Sequence, residues 1–424
     1  MPLSVPIPRL DRGMFKRLSI VFLLGFSSGL PMALVGSTLQ AWFATSGQSV
    51  MATGLLSLLS FPYVYRMLWA PIVDHYSLFR LGKRRSWILA MQIALFVGVN
   101  VLAWCSPSQN PGLMAFMAFL LAIFSATQDT AIDAHRAEYL PISEHAMGAS
   151  LAVLGYRLAM LLSGGLALVI AYHSSWSMTY RVMGLLMIPG MFATFISPEP
   201  SGPTSKSAHI IDTFCNPVKE LFSRKGIGSL LLFIFFYKLG EAFTASTGGV
   251  MMPFLLQGLG LPLDTVGIVN KIVGVSSILL GGLLSGMLLM RWSLHRALLC
   301  FGIIQALTNL LFVALAIIGP NLPLFIVAVV SDNFAAGLGT TALVALLMRL
   351  VDRRYTATQF AIFLSVAALP RILSGPIAAI LQSVLGWAGV FQFSFIAALG
   401  FIPFWSVVRR LIMDDSRNTA AGRS

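Results

Sequence analysis

The chain has 424 residues, of which 57% are hydrophobic and only 10% charged. Soluble domains carry about a quarter charged residues and disordered chains are poor in apolar ones, so both classes are excluded. Lysine and arginine number 28 against 15 aspartates and glutamates, a net charge of +13, and mean hydropathy is +0.84.

Apolar stretches occupy 17–43, 51–73, 86–105, 112–135, 147–171, 178–197, 227–256, 265–290, 296–318, 322–349, 357–385 and 388–408. Each is long enough to cross about 30 Å of hydrocarbon as a helix. The pattern predicts an all-α membrane protein with twelve transmembrane helices. The first stretch is too long for a cleavable leader and lacks a small-residue cleavage site. Residues 1–16 read as an N-terminal segment, 17–197 as a six-helix bundle, 198–226 as a linker, 227–408 as a second six-helix bundle and 409–424 as a tail.

Charge sets the orientation. Arg9, Arg12, Lys16 and Arg17 precede the first span; Arg80, Lys83, Arg84 and Arg85 follow the second, and Arg136 follows the fourth. Lys206, Lys219, Arg224 and Lys225 lie in the linker, and Arg291, Arg296, Arg349, Arg353, Arg354, Arg409, Arg410, Arg417 and Arg423 continue on the same side. Arg181 stands alone opposite. This asymmetry predicts that both termini and the linker are cytoplasmic. The net charge is then a topology signal and calls for no nucleic acid.

The linker opens with Pro198, Pro200 and Pro203. Ile210, Ile211, Phe214, Val218, Leu221 and Phe222 then recur near helical spacing. An amphipathic helix on the membrane surface fits this pattern, and so does a solvated linker. Cys105, Cys215 and Cys300 have no metal or redox spacing, and no HExxH or nucleophile–base set is present. No metal, cofactor or enzymatic activity is expected.

The halves echo each other. Arg157 precedes Ser163-Gly164, and Arg371 precedes Ser374-Gly375. Repeated six-helix halves are the plan of the major facilitator transporters. Ala70-Pro71-Ile72-Val73-Asp74 followed by Gly82-Lys83-Arg84-Arg85 is similar to that superfamily's loop signature, with a few extra residues between Asp74 and Gly82. An acid at a helix end can pair with a basic side chain or meet a helix N-terminus. Asp74, Arg84, Arg85 and Arg136 are therefore candidate gating residues, with Thr356 and Thr358 at the start of span 11 as further partners.

More specific stretches run through the chain. They are Gly25-Phe26-Ser27-Ser28-Gly29-Leu30-Pro31, Leu39-Gln40-Ala41-Trp42, Ser125-Ala126-Thr127-Gln128-Asp129 and Leu154-Gly155-Tyr156-Arg157-Leu158 in the first half. In the second half they are Tyr237-Lys238-Leu239-Gly240-Glu241-Ala242-Phe243, Val269-Asn270-Lys271 and Ala357-Thr358-Gln359-Phe360. In these the chain resembles the AmpG-type muropeptide permeases of Gram-negative bacteria. The resemblance implies proton-coupled import of GlcNAc-1,6-anhydroMurNAc, with or without a stem peptide, across the bacterial inner membrane. It also implies a part in cell-wall recycling and β-lactamase induction. The partners are then the muropeptide, protons and the bilayer, with a monomer expected. A transporter of acyl-CoA or another bulky anion, and a non-transporting membrane sensor, are the alternatives.

Ionisable residues inside spans are costly and mark function or pairing. Asp129 and Asp133 lie on one helix face; with Glu241 and Asp332 they are the proton-coupling candidates, Asp129 first among them. The alternative for the first two is a structural pair with Arg66, Arg136 or Arg157. Lys238 and Glu241, three residues apart, can pair within span 7. Arg157, Lys238, Lys271 and Arg371 suit the carboxylates of a stem peptide. Gln40, Gln128, Asn270 and Gln359 suit sugar hydroxyls and acetamido groups. Trp42, Tyr63 and Tyr156 suit sugar faces, although aromatic residues in spans often serve packing or the interfacial belt.

Overall fold

In hydrocarbon every backbone N–H and C=O must find its partner within the protein, which an isolated apolar segment achieves only as a helix. The computed structural model describes residues 12–141, 144–199, 218–224, 226–245, 249–351 and 356–421, and among them there is helix and no strand. The first half contains α1 (Arg12–Val35), α2 (Ser37–Thr45), α3 (Val50–Leu55), α4 (Phe61–Tyr65), α5 (Ala70–His75), α6 (Lys83–Leu102) and α7 (Pro111–Tyr139). It continues with α8 (His145–Leu161), α9 (Ala167–His173), α10 (Trp176–Leu185) and α11 (Ile188–Ile196). The second half contains α12 (Ile227–Ala242), α13 (Leu263–Gly267), α14 (Gly274–Leu289), α15 (Leu294–Ile318), α16 (Leu322–Leu350), α17 (Thr356–Ala398) and α18 (Ile402–Ala421).

Nine stretches of the described residues are long and apolar enough to cross a membrane. The longest, Gln359–Ile412, has 54 residues. It is interrupted at Gly386, where φ is +67°, a conformation open to glycine at little cost. The break falls where the sequence predicts one span to end and the next to begin.

Two predicted spans are not continuous helices. Residues 51–73 form α3, α4 and α5 separated by 3-10 turns at Leu56–Ser60 and Arg66–Leu68. Pro62 and Pro71 stand at the starts of α4 and α5; lacking an N–H, each fits a first turn and breaks a longer ladder. In the predicted span 227–256 the first helix ends at Ala242, residues 243–245 and 249–250 are turn, and a short helix at Met251–Pro253 leads into a π turn at Phe254–Gly258. Hydropathy recorded the apolar character of both stretches and missed the interruptions.

Packing repeats in the two halves. α1 lies along α8, and α14 along α16. A Cβ at Gly25 or Gly29 would collide with the backbone of Ala152 or Tyr156; one at Gly281 or Gly337 would collide with that of Phe334 or Ile278. Small residues that let backbones approach are how helices associate where lipid offers no hydrophobic drive. Each half has its own core, one around Leu34, Leu95, Val99 and Met183, the other around Phe233, Leu298, Leu343 and Leu346. A third cluster joins the halves, bringing Ala41 and Leu168 against Met251, Phe254 and Val266.

Candidate transport cavity

The seam between the halves is built at one end of the molecule. There α2, α3 and α9 meet α13, residues 251–258 and α17. The Gln257 side chain donates to the carbonyls of Ala44 and Gln48, both at 2.8 Å. Ser57 Oγ donates to the Ile372 carbonyl at 2.6 Å. A Cβ at Gly54 would lie 2.8 Å from the Gly375 carbonyl oxygen, so glycine at this crossing lets α3 and α17 touch. Ser365 Oγ reaches the Val64 carbonyl at 3.3 Å, a contact between α17 and α4.

Beside this seam a cavity of about 470 Å³ lies between the halves. The first half contributes Met32, Tyr156 and Arg157; the second contributes Lys238, Glu241, Asn270, Lys271, Asp332 and Arg371. One π turn lines the wall and a second packs against it. Such turns insert one residue into a helix and often mark functional sites. The turn Ile268–Val273 carries Asn270 and Lys271, and the turn Leu162–Leu166 carries Gly164 and Gly165. The Lys271 side chain crosses this second turn. A Cβ at Gly164 would lie 2.6 Å from Lys271 Cε, and Lys271 Nζ is 3.4 Å from Ser37 Oγ. A buried cation of one half thus rests on a hydroxyl of the other.

The cavity charges are unevenly matched. Glu241 Oε1 accepts from Lys238 Nζ at 2.6 Å and from Arg371 Nη2 at 3.0 Å. Lys238 Nζ also donates to Thr340 Oγ1 at 2.9 Å. Arg371 Nε is buried with no partner among the described residues. Neither Arg157 nor Lys271 forms an ion pair with a described carboxylate, and both line the cavity. Asp332 is the converse, an acid with no described cation in reach. Its Oδ1 lies 2.7 Å from Gln305 Nε2, 3.0 Å from Thr244 Oγ1 and 3.0 Å from Thr308 Oγ1. The Thr308 hydroxyl is also 2.7 Å from the Gln305 carbonyl, so it has a second acceptor whenever Asp332 does not need its proton. Neutral donors satisfy the carboxyl without fixing its charge.

The other predicted site residues lie elsewhere. Asp129 and Asp133 do not line the cavity. Asp129 accepts from Ser28 Oγ at 2.5 Å and stands 3.7 Å from Arg66. Asp133 pairs with Arg66 at 3.5 Å and Arg136 at 3.0 Å. Gln128 donates to Ser27 Oγ at 3.2 Å inside the first half, and the Tyr63 hydroxyl is buried there. Trp42 stacks on Trp176 at 5.7 Å and meets Tyr180 at 5.0 Å, within the first-half core. Gln40 is wholly buried on α2, its amide without partners among the described residues. Gln359 bonds Glu220 and, at 3.1 Å, Arg224 beside the linker. Of the residues expected against substrate, Arg157, Lys238, Lys271, Arg371, Asn270 and Tyr156 are brought together; these five are not. Sequence stretches show which polar residues are unusual, and which face of its helix each occupies depends on packing.

The predicted gate residues form links within the first half. Arg84 pairs with Glu138 at 2.6 Å. Glu199 accepts from the backbone N–H groups of Arg84 and Arg85 at 2.7 and 3.1 Å, a carboxylate at the start of α6, where the helix dipole favours it. Arg85 also donates to the carbonyls of Thr194 and Phe195. Arg136 is engaged by Asp133. The side chains of Asp74, Thr356 and Thr358 lie outside the described residues. Sequence reasoning missed Thr244, Gln305, Thr308 and Thr340. Gln305, Thr308 and Asn309 recur at helical spacing within the apolar α15, and that pattern was the available signal.

Residues 18–278 match the sequence model of the Major Facilitator Superfamily. The chain is 39% identical over 384 residues to the anhydromuropeptide permease of Escherichia coli K12, covering 90% of this chain and 78% of that protein. It is 30% identical to the putative transporter AmpG 4 of Rickettsia conorii, over 90% of this chain and 94% of that one. Among solved structures, a mutant of the nucleoside transporter NupG superposes with a TM-score of 0.71 at 14% identity, over 93% of this chain and 99% of that one.

Proposed function

The chain belongs to the AmpG-type permeases of the major facilitator superfamily, and on that premise we propose that it imports anhydro-muropeptides from periplasm to cytoplasm, coupled to protons. The observation that carries this reading is the charge imbalance in the cavity. Arg157 and Lys271 are cations without described carboxylate partners, and Asp332 is an acid without a described cation. Unpaired ionisable groups at membrane depth are too costly to be incidental. A stem peptide supplies carboxylates for the two cations, and a proton supplies the positive charge for Asp332.

Asp332 is the preferred carrier among the four candidate acids. Asp129, Asp133 and Glu241 each face an arginine or lysine, so protonating any of them breaks an ion pair. Protonating Asp332 only turns a hydroxyl. Lys271 then links substrate to gate: a ligand carboxylate competing for its Nζ draws it from Ser37 and from the glycine turn of the opposite half. Asn270, whose amide N is buried without a described partner, suits the carbonyl of an acetamido group. The seam lies at the end opposite the basic connections, which by the positive-inside rule is the periplasmic end. This supports a cavity presented to the cytoplasm and a cycle of rocking halves.

Uptake of labelled anhydro-disaccharide, with and without peptide, into proteoliposomes under an imposed pH gradient tests the proposal. Concentrative uptake that collapses with a protonophore is the expected result. Uptake undiminished without a gradient refutes the coupling. The cationic cavity also suits acyl-CoA, and competition by acetyl-CoA but not by muropeptide would select that reading instead.

A further inference from the structure

We propose that the outer corner where α15 meets α18 binds the phosphodiester headgroup of an anionic phospholipid through Arg296, His295 and Arg409, arranged around Trp405. At the end of the molecule that carries the basic connections, four arginines are matched by acids: Arg17 with Glu144, Arg84 with Glu138, Arg136 with Asp133, Arg224 with Glu220. Arg296 and Arg409 form no ion pair with a described acid, yet both are charged neighbours of His295. Trp405 draws the group together. Its indole N–H donates to the His295 carbonyl at 3.0 Å, its ring lies 6.4 Å from the His295 ring, and the Arg409 guanidinium sits 5.7 Å over its face. Arg409 over the indole and Arg296 beside His295 bring two like charges to one corner, where a bound anion would offset their repulsion.

The surface below the corner identifies the anion's carrier. Arg296 tops a stripe on one face of α15 that continues through Cys300, Ile303, Leu307 and Leu310, all exposed. Arg409 stands above Ser406 and Ile402 on the exposed face of α18. A free phosphate would use the cations alone, whereas a phospholipid uses both parts: phosphate on the guanidinium groups and acyl chains along the apolar stripe. Indole at the interface and basic pockets between helices that hold acidic headgroups belong to the same physics. Recognition is of headgroup charge and chain together, and it is independent of what the cavity transports.

The test uses the full chain in neutral detergent, with bound lipid counted by native mass spectrometry during titration with phosphatidylglycerol or phosphatidylcholine. Phosphatidylglycerol is expected to bind in preference, with R296Q/R409Q weakening it at least ~10-fold and R296K/R409K retaining most of it. R12Q/K16Q removes the same charge from exposed positions on α1 and is expected to change binding less than ~2-fold. Equal weakening by the two glutamine pairs would mean diffuse surface charge and overturn the site. So would unchanged binding in R296Q/R409Q, or full displacement of the lipid by an equal concentration of inorganic phosphate.

Discussion

Each half buries an aspartate in its helices, Asp129 in the first and Asp332 in the second, and the two have different neighbours. In the first half Asp129 and Asp133 share Arg66, and Arg136 closes the group. In the second half Asp332 sits among Gln305, Thr244 and Thr308 with no described cation, while Glu241 alone accepts from Lys238 and Arg371. An acid beside an arginine gives up an ion pair when it is protonated. An acid held by hydroxyls and an amide can exist in either protonation state with the same neighbours. On the proposed reading, similar residues in a similar fold are scaffold in one half and carrier in the other.

The comparison breaks first at Asp332. Asp332→Asn keeps the side-chain volume and removes the titration, so gradient-driven accumulation is expected to fall ~100-fold or more, in line with loss of a group acting in the rate-limiting step, while substrate exchange at equal pH persists. Radiolabel uptake and counterflow measured side by side separate the two outcomes. Next in size is Glu241→Gln, which leaves Lys238 and Arg371 facing each other. Removing one partner of a buried ion pair costs about 3 kcal/mol, so the thermal midpoint in detergent should drop clearly, and Glu241→Ala should not recover it.

Smaller effects sharpen the assignment of the cations. Arg157→Ala and Lys271→Ala each remove one charge-assisted contact, about 1.5–3 kcal/mol. Affinity for a peptide-bearing muropeptide should weaken ~10-fold or more and affinity for the peptide-free sugar much less, which calorimetry on purified protein can resolve. Ser57→Ala removes the 2.6 Å bond to Ile372, about 1 kcal/mol. Spin-label distances across α3 and α17 should then show a larger fraction open at that end. Smallest is Asp129→Asn: accumulation is expected within ~2-fold of the parent, since on this account its carboxyl does not carry the proton and the amide oxygen can still accept from Ser28.

Much of the fold was legible because the bilayer imposes it: apolar length, basic connections and the echo of Arg157 in Arg371 led to two helical halves. The interruptions at 56–60, at 66–68 and after Ala242 were not, because hydropathy is blind to backbone geometry, even though Pro62 and Pro71 mark the first two. The cavity was half legible. Arg157, Lys238, Lys271 and Arg371 stood out as charges in apolar stretches and converge as that cost demands. Trp42 and Gln40 stood out equally and went to buried positions in the first half, and Gln359 went to the linker, because helix rotation decides what a residue faces. The cage around Asp332 escaped notice since threonine and glutamine are unremarkable until three of them point at one oxygen.

Proton movement into proteoliposomes, followed with an entrapped pH dye as muropeptide is added outside, tests the central claim most directly. With no pH gradient imposed, the account predicts lumenal acidification that depends on substrate in the parent protein and disappears in Asp332→Asn reconstituted at equal density. Substrate-dependent acidification of equal size in Asp332→Asn would contradict it.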